Sequence, residues 1–183
     1  MNTQGWAEGQ TLRIGKEVRR LRDAQDLSAR ELADRTADLG HHVTRTAITD
    51  LEIGRRKQLT VAELTVLAYA LNTAPVALIY PGPYDHPTEV LPVHEEVSEA
   101  RAAQWFCGLP EGHRSLADNP RMHRMNLRRL RLARQIWDLE EKGIALRAQM
   151  TAADEPDTKA QLVDALADLQ GRIDDLKAAD DGR

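Results

Sequence analysis

The chain is expected to be all-α, on three observations. Capping residues recur ahead of short apolar stripes from Leu12 to Tyr80, a proline-rich segment follows, and heptads of apolar residues then run almost to the C-terminus. The expected division is a compact helical domain over 1–80, a linker with a short extended segment and a helix over 81–120, and an antiparallel helical hairpin or coiled coil over 121–183.

The first helix carries Leu12, Val18 and Leu21 as its apolar stripe. Ser28, with Glu31 three residues later, forms a capping box: the hydroxyl accepts the amide three positions on, and the carboxylate reaches back to the cap amide. It opens a second helix that turns Leu32, Ala33 and Leu39 inward and ends at Gly40. Thr44 caps a third helix, with Ala47, Ile48 and Leu51 on one side and Arg45, Thr46, Thr49 and Asp50 on the other. Gly54 stops it, and Arg55, Arg56 and Lys57 follow. A second capping box, Thr60 with Glu63, opens the fourth helix through Leu64, Leu67, Ala68 and Leu71. Thr73 and Pro75 begin the fifth, which buries Val76, Leu78 and Ile79.

Beyond Tyr80 the segment PGPYDHPTEVLPVHEE holds four prolines, which prevent another helix from starting at once. Residues 89–93 are expected as a short edge strand or extended arm, and Glu96 to Phe106 as a helix burying Val97, Ala100 and Trp105. GLPEGHRSLADNP then interrupts regular structure. From Pro120 periodicity returns: Met125, Leu132, Leu139 and Leu146 recur every seven residues, with Met122, Ile136 and Met150 on complementary positions and Arg129 and Gly143 as interruptions. Leu162, Leu166, Leu169, Ile173 and Leu176 make a second seam, and TAADEPDT between the two is long enough to reverse direction. One helix is rich in arginine and the other in aspartate, so packing side by side offsets their charges.

A composition of 42% hydrophobic and 30% charged residues suits a soluble globular protein, and with aromatics at only 4% its cores are aliphatic. The net charge of -4 conceals segregation. Eleven basic residues face nine acidic ones over 11–80, two face seven over 81–120, eight face three over 121–150, and four face nine over 151–183. The whole-chain charge therefore says nothing against a polyanionic partner. No apolar run approaches the roughly 20 residues that span a membrane, and Met1 to Gln10 lacks the basic and apolar regions of a signal peptide. A cytoplasmic location is expected, and the single Cys107 excludes an internal disulfide. His41, His42, His86, His94, His113 and His123 have no metal-site spacing, and no phosphate loop, nucleophile elbow or triad pattern occurs. No metal, cofactor or enzymatic activity is expected.

The block ELADRT, the run TRTAITDLEIGRR and the tail LTVAELTVLAYALNTAPVALIYP together resemble the helix-turn-helix domain of the Xre/Cro/C1 repressor family over about the first 80 residues. The resemblance implies a five-helix, lambda-repressor-like fold and a sequence-specific transcriptional regulator, expected to be a repressor of a phage, mobile element or bacterial chromosome. Two departures stand out: Ala29 occupies the place where the family usually has a phosphate-contacting Gln, and ADLGHHV is about five residues longer than the short family turn.

With the third helix in the roughly 12 Å wide major groove, Arg45 donates two hydrogen bonds to guanine, while Thr46 and Thr49 offer a hydroxyl or a methyl to thymine. Asp50 either accepts from the cytosine amino group or forms a salt bridge that orients Arg45 or Arg55. Ser28, Arg30, Thr44, Arg55, Arg56 and Lys57 are the expected phosphate contacts, and Glu52 braces neighbouring backbone or basic groups. His41 and His42, in the long turn, contact phosphate or are simply solvated. Arg121, Arg124, Arg128, Arg129, Arg131 and Arg134 oppose the dipole of their helix, so they hold acidic segments of the chain or touch DNA.

The expected partners are a double-stranded DNA operator and a second copy of the chain, with no membrane. Leu132, Ile136, Leu139, Leu146, Leu162, Leu166, Leu169, Ile173 and Leu176 are the expected dimerisation residues, since two hairpins can pack as a four-helix bundle that also covers Leu130, Trp137 and Ile144. Two alternatives remain open: an antitoxin or adaptor whose C-terminal hairpin captures a protein partner, and a monomeric reader that uses its C-terminal part as a second DNA contact.

Overall fold

The computed structural model describes residues 3–92, 96–109 and 116–181. Within them the chain is mostly helical, with nine helices and one two-stranded sheet, and it divides into two compact units, 1–118 and 119–183. No helix among the described residues is long and apolar enough to cross a membrane.

The first unit opens with α1 (Thr3–Asp23), α2 (Ala29–Asp38), α3 (Arg45–Glu52), α4 (Val61–Ala70) and α5 (Pro75–Ile79). Both capping boxes form where the spacing predicts them: Ser28 accepts the Glu31 amide and Thr60 the Glu63 amide, with each carboxylate returning to its cap. Val18, Leu32, Ile48, Leu51, Leu67 and Leu78 are fully buried and make one aliphatic core. α1 and α3 approach so closely that a Cβ on Gly15 would lie 2.1 Å from the Leu51 carbonyl oxygen. Only glycine fits that crossing.

Two residues expected inside are exposed. α1 begins well before Leu12, and its buried stripe runs through Thr11, Ile14 and Val18, so Leu12 lies at the edge, over Gly54. Leu39 is 40% exposed because α2 has already ended at Asp38; Val43, past the positive-φ Gly40, takes the interior place.

In the segment expected over 81–120 as a linker with a short extended segment and a helix, the described residues up to 118 belong to the same unit as the first five helices. β1 (Pro87–Thr88) pairs antiparallel with β2 (Val97–Ser98), and α6 (Glu99–Phe106) follows, one turn later than expected. Ser98 caps α6 by accepting the Arg101 amide, which is why residues 96–98 stay outside the helix. The expected strand over 89–93 is displaced to 87–88, and Val93 itself lies outside the described residues. Val90, Val97, Ala102 and Leu116 join the same core as α1–α5, while Ala100 and Trp105 are half-buried. Polar ties complete the attachment: Arg13 donates to the Thr88 hydroxyl and lies 3.8 Å from the buried Glu99 carboxylate, which accepts the Gly82 amide. Tyr80 packs edge-on against Phe106 at 6.0 Å, and burial pushes its phenol above the usual range. A segment whose apolar residues finish a core is part of the domain.

In the second unit α7 (Pro120–Asn126) is separated by Leu127 from α8 (Arg128–Ala152), and α9 (Pro156–Asp181) follows after three residues. Pro156 is the first residue of α9, so the reversal is shorter than TAADEPDT. Arg128 lies beside Ala179 and Gly143 beside Leu169, so α8 and α9 run in opposite directions. Leu139 and Ile173 are buried between them, with Leu132, Ile136, Leu146, Leu162, Leu166, Leu169 and Leu176 half-buried. Met125 falls on α7, before the break, and is 59% exposed rather than in the seam. Charge pairing across the seam includes acid on α8 and base on α9, Glu140 with Lys177 at 3.6 Å, the reverse of the expected polarity.

Candidate functional site

α3 is locked from behind and open in front. Thr44, in extended conformation, caps it by accepting the Ala47 amide at 3.2 Å. Ile48 and Leu51 are fully buried, which leaves Arg45, Thr46 and Thr49 exposed and Asp50 half-buried on the other side. The Thr49 hydroxyl donates to the Arg45 carbonyl at 3.0 Å.

The back of the helix is held by groups the sequence does not advertise. Arg22 on α1 forms a two-pronged pair with the buried Glu52 carboxylate, at 2.7 and 3.0 Å, and also donates to the Leu27 carbonyl. Hydrogen bonding to Glu52 raises the Arg22 guanidinium further above its already high range, so it stays charged. Glu52 therefore has the bracing role expected of it. At the other end Thr36, fully buried in α2, accepts the Val43 amide at 2.9 Å and donates to the Ala33 carbonyl at 2.8 Å. One hydroxyl thus ties down the long α2–α3 connection, while His41 and His42 stay exposed on it. Thr36 shares a helical stripe with Leu32 and Ala33, and a small polar residue in an apolar stripe is the signal that could have revealed it. Gly15 gave a comparable signal as a glycine inside a helical pattern.

The basic loop after α3 is less uniform than RRK suggests. The Asp50 carbonyl accepts the amides of Arg55 and Arg56 at 2.8 and 3.1 Å, and Gly54 turns the chain at φ +76. Arg55 projects into solvent with its side chain 77% exposed, and its guanidinium sits 3.8 Å from the Asp50 carboxylate. Arg56, expected beside it as a phosphate contact, is turned in to Glu63 at 2.8 and 3.1 Å. Burial pushes the Glu63 carboxyl up, but hydrogen bonds from Arg56 and from the Thr60 amide and hydroxyl outweigh it and hold the group below the usual carboxylate range. Lys57 lies 3.0 Å from Glu8 on α1. At the start of α2, Arg30 is exposed, whereas the Ser28 hydroxyl is engaged by the Glu31 amide at 3.1 Å. Arg35 reaches the Ala70 carbonyl at 3.1 Å and so satisfies the end of α4.

In the second unit Arg121, Arg124, Arg128 and Arg131 line one shallow groove with Met125 and Leu132. Arg128 donates to the Ala179 carbonyl near the end of α9, so one member of the cluster serves as a helix cap. The nine residues expected to mediate dimerisation face one another across α8 and α9 of a single chain. Leu130 and Trp137 lie elsewhere on α8, Ile144 borders the groove that Leu166, Leu169 and Ile173 line, and the three are 42%, 67% and 59% exposed. Compared with family models, curated proteins and solved structures, the chain matches none.

Proposed function

We propose that the chain is a sequence-specific duplex-DNA-binding regulator of transcription, acting as a repressor, with residues 1–80 forming a lambda-repressor-like reading head and α8–α9 a helical hairpin. The observation that carries the reading is the asymmetry of α3: its apolar face and Glu52 are fixed to the core, while Arg45, Thr46 and Thr49 stand exposed in adjacent turns. A helix presented in this way suits the major groove, where a guanidinium can span O6 and N7 of guanine and a threonine can meet a thymine methyl.

Phosphate contact falls first to Arg55 and Arg30, whose side chains are exposed, with Lys57 beside Glu8 as a further cation. Arg56 acts indirectly: paired with Glu63, it ties the loop to the capping box of α4 and so sets where Arg55 stands. Asp50 positions Arg55 through its side chain and shapes the loop through its carbonyl. One reading head makes few base contacts, so a dimer on a two-fold related site is part of the proposal.

Selection of bound duplexes from a random pool tests it. A recovered motif with two inverted half-sites is the expected result. Recovery of no motif, with equal binding of all duplexes, removes sequence-specific reading.

A further inference from the structure

α8 carries two apolar faces, and α9 covers one of them. At 3.6 residues per turn Leu130, Trp137 and Ile144 lie roughly 160° around the helix from the seam of Leu132, Leu139 and Leu146. Large apolar side chains that repeat every seven residues and remain exposed mark a face built to meet another helix.

Three features of this face select its occupant. Leu130 and Ile144 are each seven residues from Trp137, so a two-fold axis through Trp137 lays Leu130 of one copy against Ile144 of another. Charge is split about the same point: residues 128–136 hold Arg128, Arg129, Arg131 and Arg134 with no acid, whereas 138–146 hold Asp138, Glu140 and Glu141 with only Lys142 opposing them. Two copies running in opposite directions set the basic half against the acidic half, while two running in the same direction set like on like. Arg134 and Glu141 also sit one turn to either side of Trp137, next to the apolar stripe, where such a pairing brings each beside the other from the second copy.

We propose that this face is where a second copy of the chain docks, α8 against α8 in opposite directions about an axis at Trp137, with each α9 on the outside. The proposal deepens the DNA-binding reading, resting on it for the purpose of the dimer though not for its geometry. It reassigns the dimer contact from the Leu132 to Leu176 seam, which holds a single chain together, to Leu130, Trp137 and Ile144.

Sedimentation of the full chain without DNA, at tens of micromolar, tests it. The wild type runs as a dimer, and Trp137→Arg self-associates at least about 30-fold more weakly, as expected for loss of a central aromatic anchor. Its circular dichroism is unchanged, because Trp137 is exposed. Ile144→Glu behaves the same way and guards against a folding defect peculiar to one variant. In a Cys107→Ser background, mild oxidation traps Trp137→Cys as a covalent dimer, whereas Val163→Cys on α9, at a site 52% exposed, stays single. A monomeric wild type, a dimer that survives Trp137→Arg, or trapping at position 163 in place of 137 overturns the proposal. DNA is absent throughout, so a dimer of this geometry that binds no duplex overturns the DNA-binding reading alone.

Discussion

The two units solve the burial problem differently. The first unit encloses Leu32, Ile48, Leu51, Leu67 and Leu78 completely, and Val90 after β1, Val97 on β2 and Ala102 on α6 join the same core. Among the described residues of 119–183 only Leu139 and Ile173 are buried hydrophobic side chains, and Leu130, Trp137, Ile144 and Val163 are exposed. Layers packed on several sides can finish a core, whereas two helices side by side share one strip of contact. The first unit is thus able to hold α3 still by itself. The second leaves part of its apolar surface uncovered.

The comparison is broken most severely by removing the brace behind α3. Glu52→Ala removes the two-pronged partner of the largely buried Arg22 guanidinium, leaving it paired with Asp23 at 2.8 Å, and is expected to cost about 3–4 kcal/mol. Hydrogen exchange read by mass spectrometry should show α1 and α3 losing protection while α8 and α9 keep theirs. Equal loss in both units would mean that they do not fold independently. Gly15→Ala comes next, at about 3 kcal/mol, because the added methyl meets backbone that cannot rotate away. The same exchange measurement checks it, and unchanged protection at the α1–α3 crossing would contradict so tight a contact.

A smaller effect separates local chemistry from the core. The Glu63 carboxyl is held below the usual carboxylate range, so its ionised form favours the folded state above the unfolded pKa, and that contribution is lost as pH falls through the lower folded value. Glu63→Gln should therefore lower α4 protection by about 1 kcal/mol at neutral pH, and the difference from wild type should close on acidification. A pH-independent difference would assign the effect to packing. The smallest expected effect is at Arg55: Arg55→Ala should weaken binding to every duplex alike and lower the salt slope by about one unit. Altered base preference with an unchanged slope would make Arg55 a base contact.

What the sequence made legible is what neighbouring residues decide together. The caps at Ser28, Thr44 and Thr60 and the apolar faces of α2 and α3 follow from residues three or four apart, as does the Leu132 to Leu146 periodicity. The turns at Gly40 and Gly54 were equally readable. Distant contacts were not. The Gly15 crossing needs Leu51, the Arg22 brace needs Glu52, and the capture of residues 81–118 needs Arg13 and Trp6, whose indole donates to the Glu89 carbonyl. Proline content marked that segment as irregular, which it is, but says nothing about whether its apolar residues find a core. At the candidate site the exposed face of α3 was legible from its period. The turning of Arg56 toward Glu63 was not, because RRK contains three cations of equal local standing.

The proposal's central claim, that α3, anchored from behind, reads base identity through its exposed Arg45, is tested most directly by measuring Arg45→Ala on the selected duplex and on random duplexes at matched salt. A loss of about 1–3 kcal/mol on the selected duplex, with little change on random ones and relaxed preference at one base position, is the result expected for a lost bidentate base contact. Equal weakening on both kinds of duplex would make Arg45 a phosphate contact, and no change on either would remove α3 from the interface.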